Sequence, residues 1–175
     1  MKETLMVATT VNGVIPAGTR VPGFTLPRPG GGEVTLPDRG AKGLTLAIFF
    51  KNSCPTCRLI FPFVQRLHEQ VEGFGGRVVA ISQDGLEGAR EFAREFGLTM
   101  PMVADGDDWP VSREYDLVSV PTLYLVDGEG TVVRGLAGFQ KAGLMQVAAD
   151  LAASVGAPSP ALYHEGESLP DLKPG

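Results

Sequence analysis

Residues 44–71 read LTLAIFFKNSCPTCRLIFPFVQRLHEQV, and the order of patterns within them decides the fold. Leu44 to Phe50 is a near-continuous apolar run of strand length, the pattern of a central strand covered on both faces. After Cys57 the apolar residues Ile60, Phe63, Val64, Leu67 and Val71 recur at helical spacing until Gly73, with Pro62 expected to kink the helix early. Cys54 and Cys57 therefore fall at a strand-to-helix junction.

At a helix start the partial positive charge of the unpaired N–H groups favours thiolate over thiol, so Cys54 is expected to be the attacking sulfur. Cys57, a turn further along, is placed to resolve a mixed disulfide formed on Cys54. These are the chain's only cysteines. A bridge between them closes too small a loop to stabilise the fold much, which points to a reactive or metal-binding pair. A zinc site would need two more ligands, and the only histidines are His68, in mid-helix, and His164, in the C-terminal stretch. A pair of buried, inert cysteines is the other alternative.

Working outward, Arg77 to Ser82 reads as a second buried strand, and Leu86, Ala89, Phe92, Ala93 and Phe96 mark a second amphipathic helix that stops at Gly97. A parallel βαβ unit follows. Trp109-Pro110 is expected to start a short helix through Tyr115, and Thr122–Val126 with Thr131–Leu136 to form a hairpin around Asp127-Gly128-Glu129-Gly130. Leu144, Val147, Ala148, Leu151 and Val155 share one face of a last helix that ends at Gly156. Upstream, the chain to about Asp38 is rich in Pro and Gly, with one short strand at Glu33–Leu36. The expected organisation is a lead-in at 1–20, one domain at 21–156 and a C-terminal tail at 157–175, where no period survives.

The chain has 175 residues, 43% hydrophobic and 20% charged, which suits one globular domain. Its net charge is −5, and no basic cluster could neutralise a phosphate backbone, so nucleic acid is not expected as a partner. No run approaches the roughly 18 apolar residues of a membrane-spanning helix. The first twenty residues lack an export-type apolar core, giving a cytoplasmic expectation, or an extracytoplasmic one if a leader has been removed.

The stretch Phe50–Pro62, FKNSCPTCRLIFP, resembles the active-site segment of thioredoxin-fold proteins. Val79–Asp84, Phe92–Leu98, Met100–Asp105 and Val120–Gly130, in this order, resemble the TlpA/ResA-like, AhpC/TSA-related branch over roughly residues 21–156. That resemblance implies a thioredoxin-like three-layer α/β/α fold with a central mixed sheet, an N-terminal extension and an inserted βα unit. It implies a thiol-disulfide oxidoreductase, acting as a monomer on protein disulfides and recharged by a thiol or thioredoxin-type donor. No cofactor is expected beyond the redox-active Cys54–Cys57 pair. In that family the proline matching Pro121 is cis and faces the cysteines, which would set the Val120 backbone beside Cys54 for pairing with an extended substrate. Ser53, Pro55 and Thr56 complete the expected substrate rim.

Three departures from the pattern stand out. Ile60 and Ile48 occupy the positions where many TlpA-like proteins and thioredoxins, respectively, carry a buried acid that can shuttle protons for the resolving cysteine. Ser53 stands where a Trp is usual. Lys51 could favour the Cys54 thiolate if its side chain points toward the sulfur, and is otherwise a solvated strand end. Two rival functions remain. A peroxiredoxin-like peroxidase would want a Thr three residues before its cysteine, where this chain has Lys51. A non-catalytic binding module on the same scaffold would have no need of a thiol pair at this helix start.

Overall fold

A computed structural model describes residues 8–175, so residues 1–7 of the expected lead-in lie outside the described residues. Strands β1 (Phe24–Pro27) and β2 (Glu33–Leu36) form an antiparallel hairpin in which Phe24 faces Leu36. The chain then enters β3 (Thr45–Phe50), α1 (Pro55–Val71), β4 (Arg77–Ser82), α2 (Gly85–Phe96) and β5 (Met102–Ala104). A short α3 (Pro110–Glu114) leads to β6 (Thr122–Val126) and β7 (Val132–Ala137). Finally come β8 (Phe139–Gln140), α4 (Lys141–Ser154) and β9 (Leu172–Lys173).

The central sheet runs β5-β4-β3-β6-β7, with β3, β4 and β5 parallel and β6 and β7 each antiparallel to their neighbours. The expected mixed sheet is thus observed, with β3 in its middle. All six residues of β3 are buried, because alternate side chains serve two different cores. Leu46, Ile48 and Phe50 pack with residues of α1, α2 and α4, whereas Ala47 and Phe49 pack with the β1–β2 hairpin and with Val111 of α3. This is the thioredoxin-like layering, with the hairpin as its N-terminal extension.

The end of β3 nearest the cysteines is held by an aromatic cluster. Phe50, Phe61 of α1 and Phe92 of α2 place their ring centroids 4.6, 4.7 and 5.0 Å apart. Such pairs contribute about 0.5–1.5 kcal/mol each beyond their buried area, enough to fix how α1 leaves the sheet. Helix α1 runs through Pro62 without interruption, and α2 ends as expected at Gly97, whose left-handed backbone (φ 64°) lets its N–H reach the carbonyls of Ala93 and Arg94.

Residues 157–175, expected as a tail, lie along the domain. Leu162 is fully buried in the core that α1 and α4 share. Arg66 of α1 donates to the Leu162 carbonyl at 2.7 Å and holds the Glu167 carboxylate with both guanidinium nitrogens, at 2.8 and 2.9 Å. Gln70 brackets Ala161, donating to its carbonyl at 3.0 Å and accepting its N–H at 2.9 Å. Strand β9 then pairs antiparallel with β8. None of these contacts has a periodic signature, which is why the sequence pattern did not disclose them.

Candidate active site

Strand β3 delivers the chain to a turn whose backbone is stapled from the next βα unit. The Asn52 N–H donates to Asp84 at 2.6 Å and the Asn52 side chain donates to the Gly88 carbonyl at 2.9 Å. Cys54 is the residue that caps α1, extended at φ −81° and ψ 115°, with Pro55 as the first helical residue. Its sulfur accepts the Cys57 N–H at 3.1 Å, one of the donors a helix start leaves unpaired.

The two sulfurs have different surroundings. Cys54 is half-buried, while Cys57 is wholly inaccessible. Burial, then the hydrogen bond with Cys54, push the Cys57 thiol far above its ordinary range, so it stays protonated until chemistry at Cys54 demands otherwise. Ile48 and Ile60, both fully buried, keep the space behind the pair apolar.

Val120 and Pro121 come to the same place, and the bond between them is cis, as the resemblance implied. The Cys54 thiol donates to the Val120 carbonyl at 3.3 Å. One sulfur therefore sits between a donor that suits the thiolate and an acceptor that suits the thiol. Ser53 and Pro55 are exposed at the rim, whereas Thr56 is buried and spends its hydroxyl on the Pro174 carbonyl at 2.6 Å. For Lys51 the sequence leaves open a side chain turned to the sulfur and a solvated strand end. Its ammonium lies over the Trp109 ring, 4.8 Å from the centroid, and Trp109 in turn donates to the Gln83 carbonyl at 2.8 Å.

Sequence reading missed this Lys51–Trp109 contact and the arrival of Pro174, because both join residues distant in the chain. Lys51, Trp109, Val118 and Val120 line part of a shallow cleft of about 290 Å³ beside the cis bond. His68, considered as a metal ligand, directs Nε2 to Glu72 at 2.7 Å. Among the described residues no group of three or more His, Cys, Asp or Glu side chains is arranged to hold a metal ion.

Fold and site together define a thioredoxin-fold dithiol protein, with an attacking-type cysteine at a helix cap and a buried partner one turn on. Known proteins agree. The AhpC/TSA family model matches residues 17–134. The thiol-disulfide oxidoreductase ResA of Bacillus subtilis is 29% identical over 71% of this chain and 69% of its own length. ResA of Geobacillus thermodenitrificans is 30% identical over 71% of each chain. Among solved structures, a thiol:disulfide interchange protein from a Bacteroides species superposes with a TM-score of 0.61 at 25% identity, covering 69% of this chain and 80% of that one. The chain belongs to the AhpC/TSA family, as a thiol-disulfide oxidoreductase of its ResA-like branch.

Proposed function

We propose that this protein reduces disulfides in other proteins, with Cys54 as nucleophile and Cys57 as resolving thiol. The observation that carries the reading is the unequal access of the two sulfurs. Of the two sulfurs only Cys54 has any exposure, and Cys57 is held in reserve behind it.

In the first step the Cys54 thiolate attacks one sulfur of the substrate disulfide. An intermolecular disulfide forms and the other substrate sulfur leaves as a thiolate that takes up a proton. In the second, Cys57 loses its proton and attacks the Cys54 sulfur, releasing the second substrate thiol. The substrate gains two electrons and two protons, and the protein keeps a Cys54–Cys57 disulfide. The Cys57 N–H already directed at the Cys54 sulfur supports negative charge there. Ile48 and Ile60 put no carboxylate at either position to receive the Cys57 proton.

Electrons travel on cysteine sulfur throughout, so neither step calls for a bound cofactor. A thiol or thioredoxin-type donor would restore the dithiol, in a compartment where such donors are available. Every group used belongs to one chain, which suits action as a monomer. Val120, Ser53 and Pro55 form the surface that meets the substrate, with Pro121 and Thr56 buried beneath it, and the cleft lined by Trp109 and Val118 extends it.

The test is trapping. Cys57→Ser should accumulate a mixed disulfide with reduced-and-reoxidised insulin chains, Cys54→Ser should accumulate none, and both should lose insulin reduction. Glutathione equilibration of the unaltered protein should give a Cys54–Cys57 disulfide. Turnover that appears only with a peroxide, or no disulfide at any potential, overturns the reading in favour of the peroxidase or the binding module.

A further inference from the structure

Residues 171–175 reach the catalytic cysteine by a route that none of the roles above requires. Their backbone pairs with the two-residue strand that follows the central sheet: β9 lies antiparallel to β8, with Lys173 opposite Phe139 and Leu172 opposite Gln140. The Lys141 N–H adds a bond of 3.0 Å to the Asp171 carbonyl. Beyond this ladder the Thr56 hydroxyl, between the two cysteines, donates to the Pro174 carbonyl at 2.6 Å. Gly175 then rides directly over the carbonyl of Val120. A Cβ there would stand 2.1 Å from that oxygen, so only a glycine passes. The same oxygen accepts the Cys54 thiol.

The groove is shaped for this approach on its other wall as well. Gly138 is left-handed (φ 71°), and a Cβ on it would lie 2.7 Å from the Lys173 carbonyl. What occupies the groove is recognised by main chain. Asp171, Leu172, Pro174 and Gly175 are exposed, and Leu172 keeps 65% of its surface accessible. The stretch before it is fastened by side chains instead, through buried Leu162, the Arg66–Glu167 pair and the Tyr163 hydroxyl on the Lys141 carbonyl at 2.7 Å. A firmly anchored segment thus carries a lightly held stretch, residues 171–175, into the place where a substrate strand would lie.

We infer that residues 171–175 are a resident strand in the substrate groove, a strap that an extended disulfide-bearing peptide must displace to reach Cys54. The inference rests on the reading that substrates pair with Val120. Main-chain pairing accepts many sequences, and with Gly175 lying over the Val120 carbonyl, strap and substrate compete for one place. Tethering keeps the strap at high local concentration, and the apparent affinity for substrate falls by the fraction of sites left open.

Two variants test it: Gly175→Val, whose side chain would meet the Val120 carbonyl, and removal of residues 170–175, which leaves the Leu162 and Glu167 anchors in place. Two readouts apply to the full chain and both variants: the alkylation rate of Cys54 by iodoacetamide, read by peptide mapping, and kcat/KM for insulin reduction. If the strap closes about four-fifths of sites, both variants should gain roughly five-fold in each, chiefly through KM for insulin. A synthetic LPDLKPG peptide should inhibit the shortened form. Rates within two-fold across all three proteins overturn the strap. If no form reduces insulin, the reductase reading fails separately, and the alkylation rates still decide whether the groove is occupied.

Discussion

Replacing Leu162 by Ala tests whether residues 157–175 are part of the folded unit. Leu162 is inaccessible to solvent and lies in one core cluster with Leu144, Val147 and Leu67. Burying a leucine is worth about 1.5–3 kcal/mol, and truncation to Ala in a core typically costs about 2–5 kcal/mol once the cavity is included. The segment has no regular structure around Leu162 and can settle partly into the space, so the lower half, about 2–3 kcal/mol, is expected. For a chain of this size that corresponds to a fall in Tm of roughly 4–12 °C. If the segment can come away by itself, the loss stops at its docking energy, and a broad-specificity protease should then cut between 157 and 170 while the rest stays folded. Urea or thermal unfolding together with limited proteolysis distinguishes the two. A Tm within about 1 °C of the unaltered protein and no new cleavage would refute the packing argument.

Three further outcomes follow from the same reasoning. Phe92→Ala removes the ring shared by Phe50, Phe61 and Phe96 and should cost about 3–5 kcal/mol in urea denaturation; a loss under about 1 kcal/mol would mean the cluster does not brace β3. Burial holds the His68 pKa below its ordinary 6.5, so the unfolded chain binds the proton more readily. Stability contributed by neutral His68 is present above 6.5 and drains away as pH falls through the folded value; His68→Gln should flatten that slope between pH 7 and 5 in Tm measurements, and an unchanged slope would contradict the assignment. The Arg66 guanidinium and the His164 N–H hold Glu167 down at about 2, against an ordinary 4.5. The anchor is therefore complete above pH 4.5 and lost as pH drops toward 2, and Glu167→Gln should raise amide exchange in residues 157–175 at neutral pH, with α1 unaffected.

The elements legible in the sequence are those with a repeating pattern over several residues. Strand β3, helices α1 and α2, the β6–β7 hairpin and α4 all announce themselves by apolar spacing and by a glycine stop. Strands β5, β8 and β9 span two or three residues each, too few for a period to register. At the site, Cys54 and Cys57 were readable because the chemistry depends on local spacing and on a helix start. The Val120–Pro121 partner was reached through the resemblance, since nothing local to Pro121 says what it faces. Lys51 illustrates the limit: its charge was visible, but the aromatic ring that engages it arrives from another part of the chain. The segment after Ala157 is similar: its leucine, ion pair and glutamine contacts to α1 mean something only once that helix is in place.

The middle position of β3 has a consequence for how such a protein can diversify. Every residue of that strand answers to a packed neighbour on one side or the other, so a change there must satisfy a whole core before it can be inherited. The β1–β2 hairpin and the segment after Ala157 answer to a core on one face only and keep the other exposed, as the alternating burial of Phe24–Pro27 and Glu33–Leu36 shows. Descendants can exchange those peripheral pieces and present the same sulfur to different clients, with the chemistry carried along unchanged at the centre.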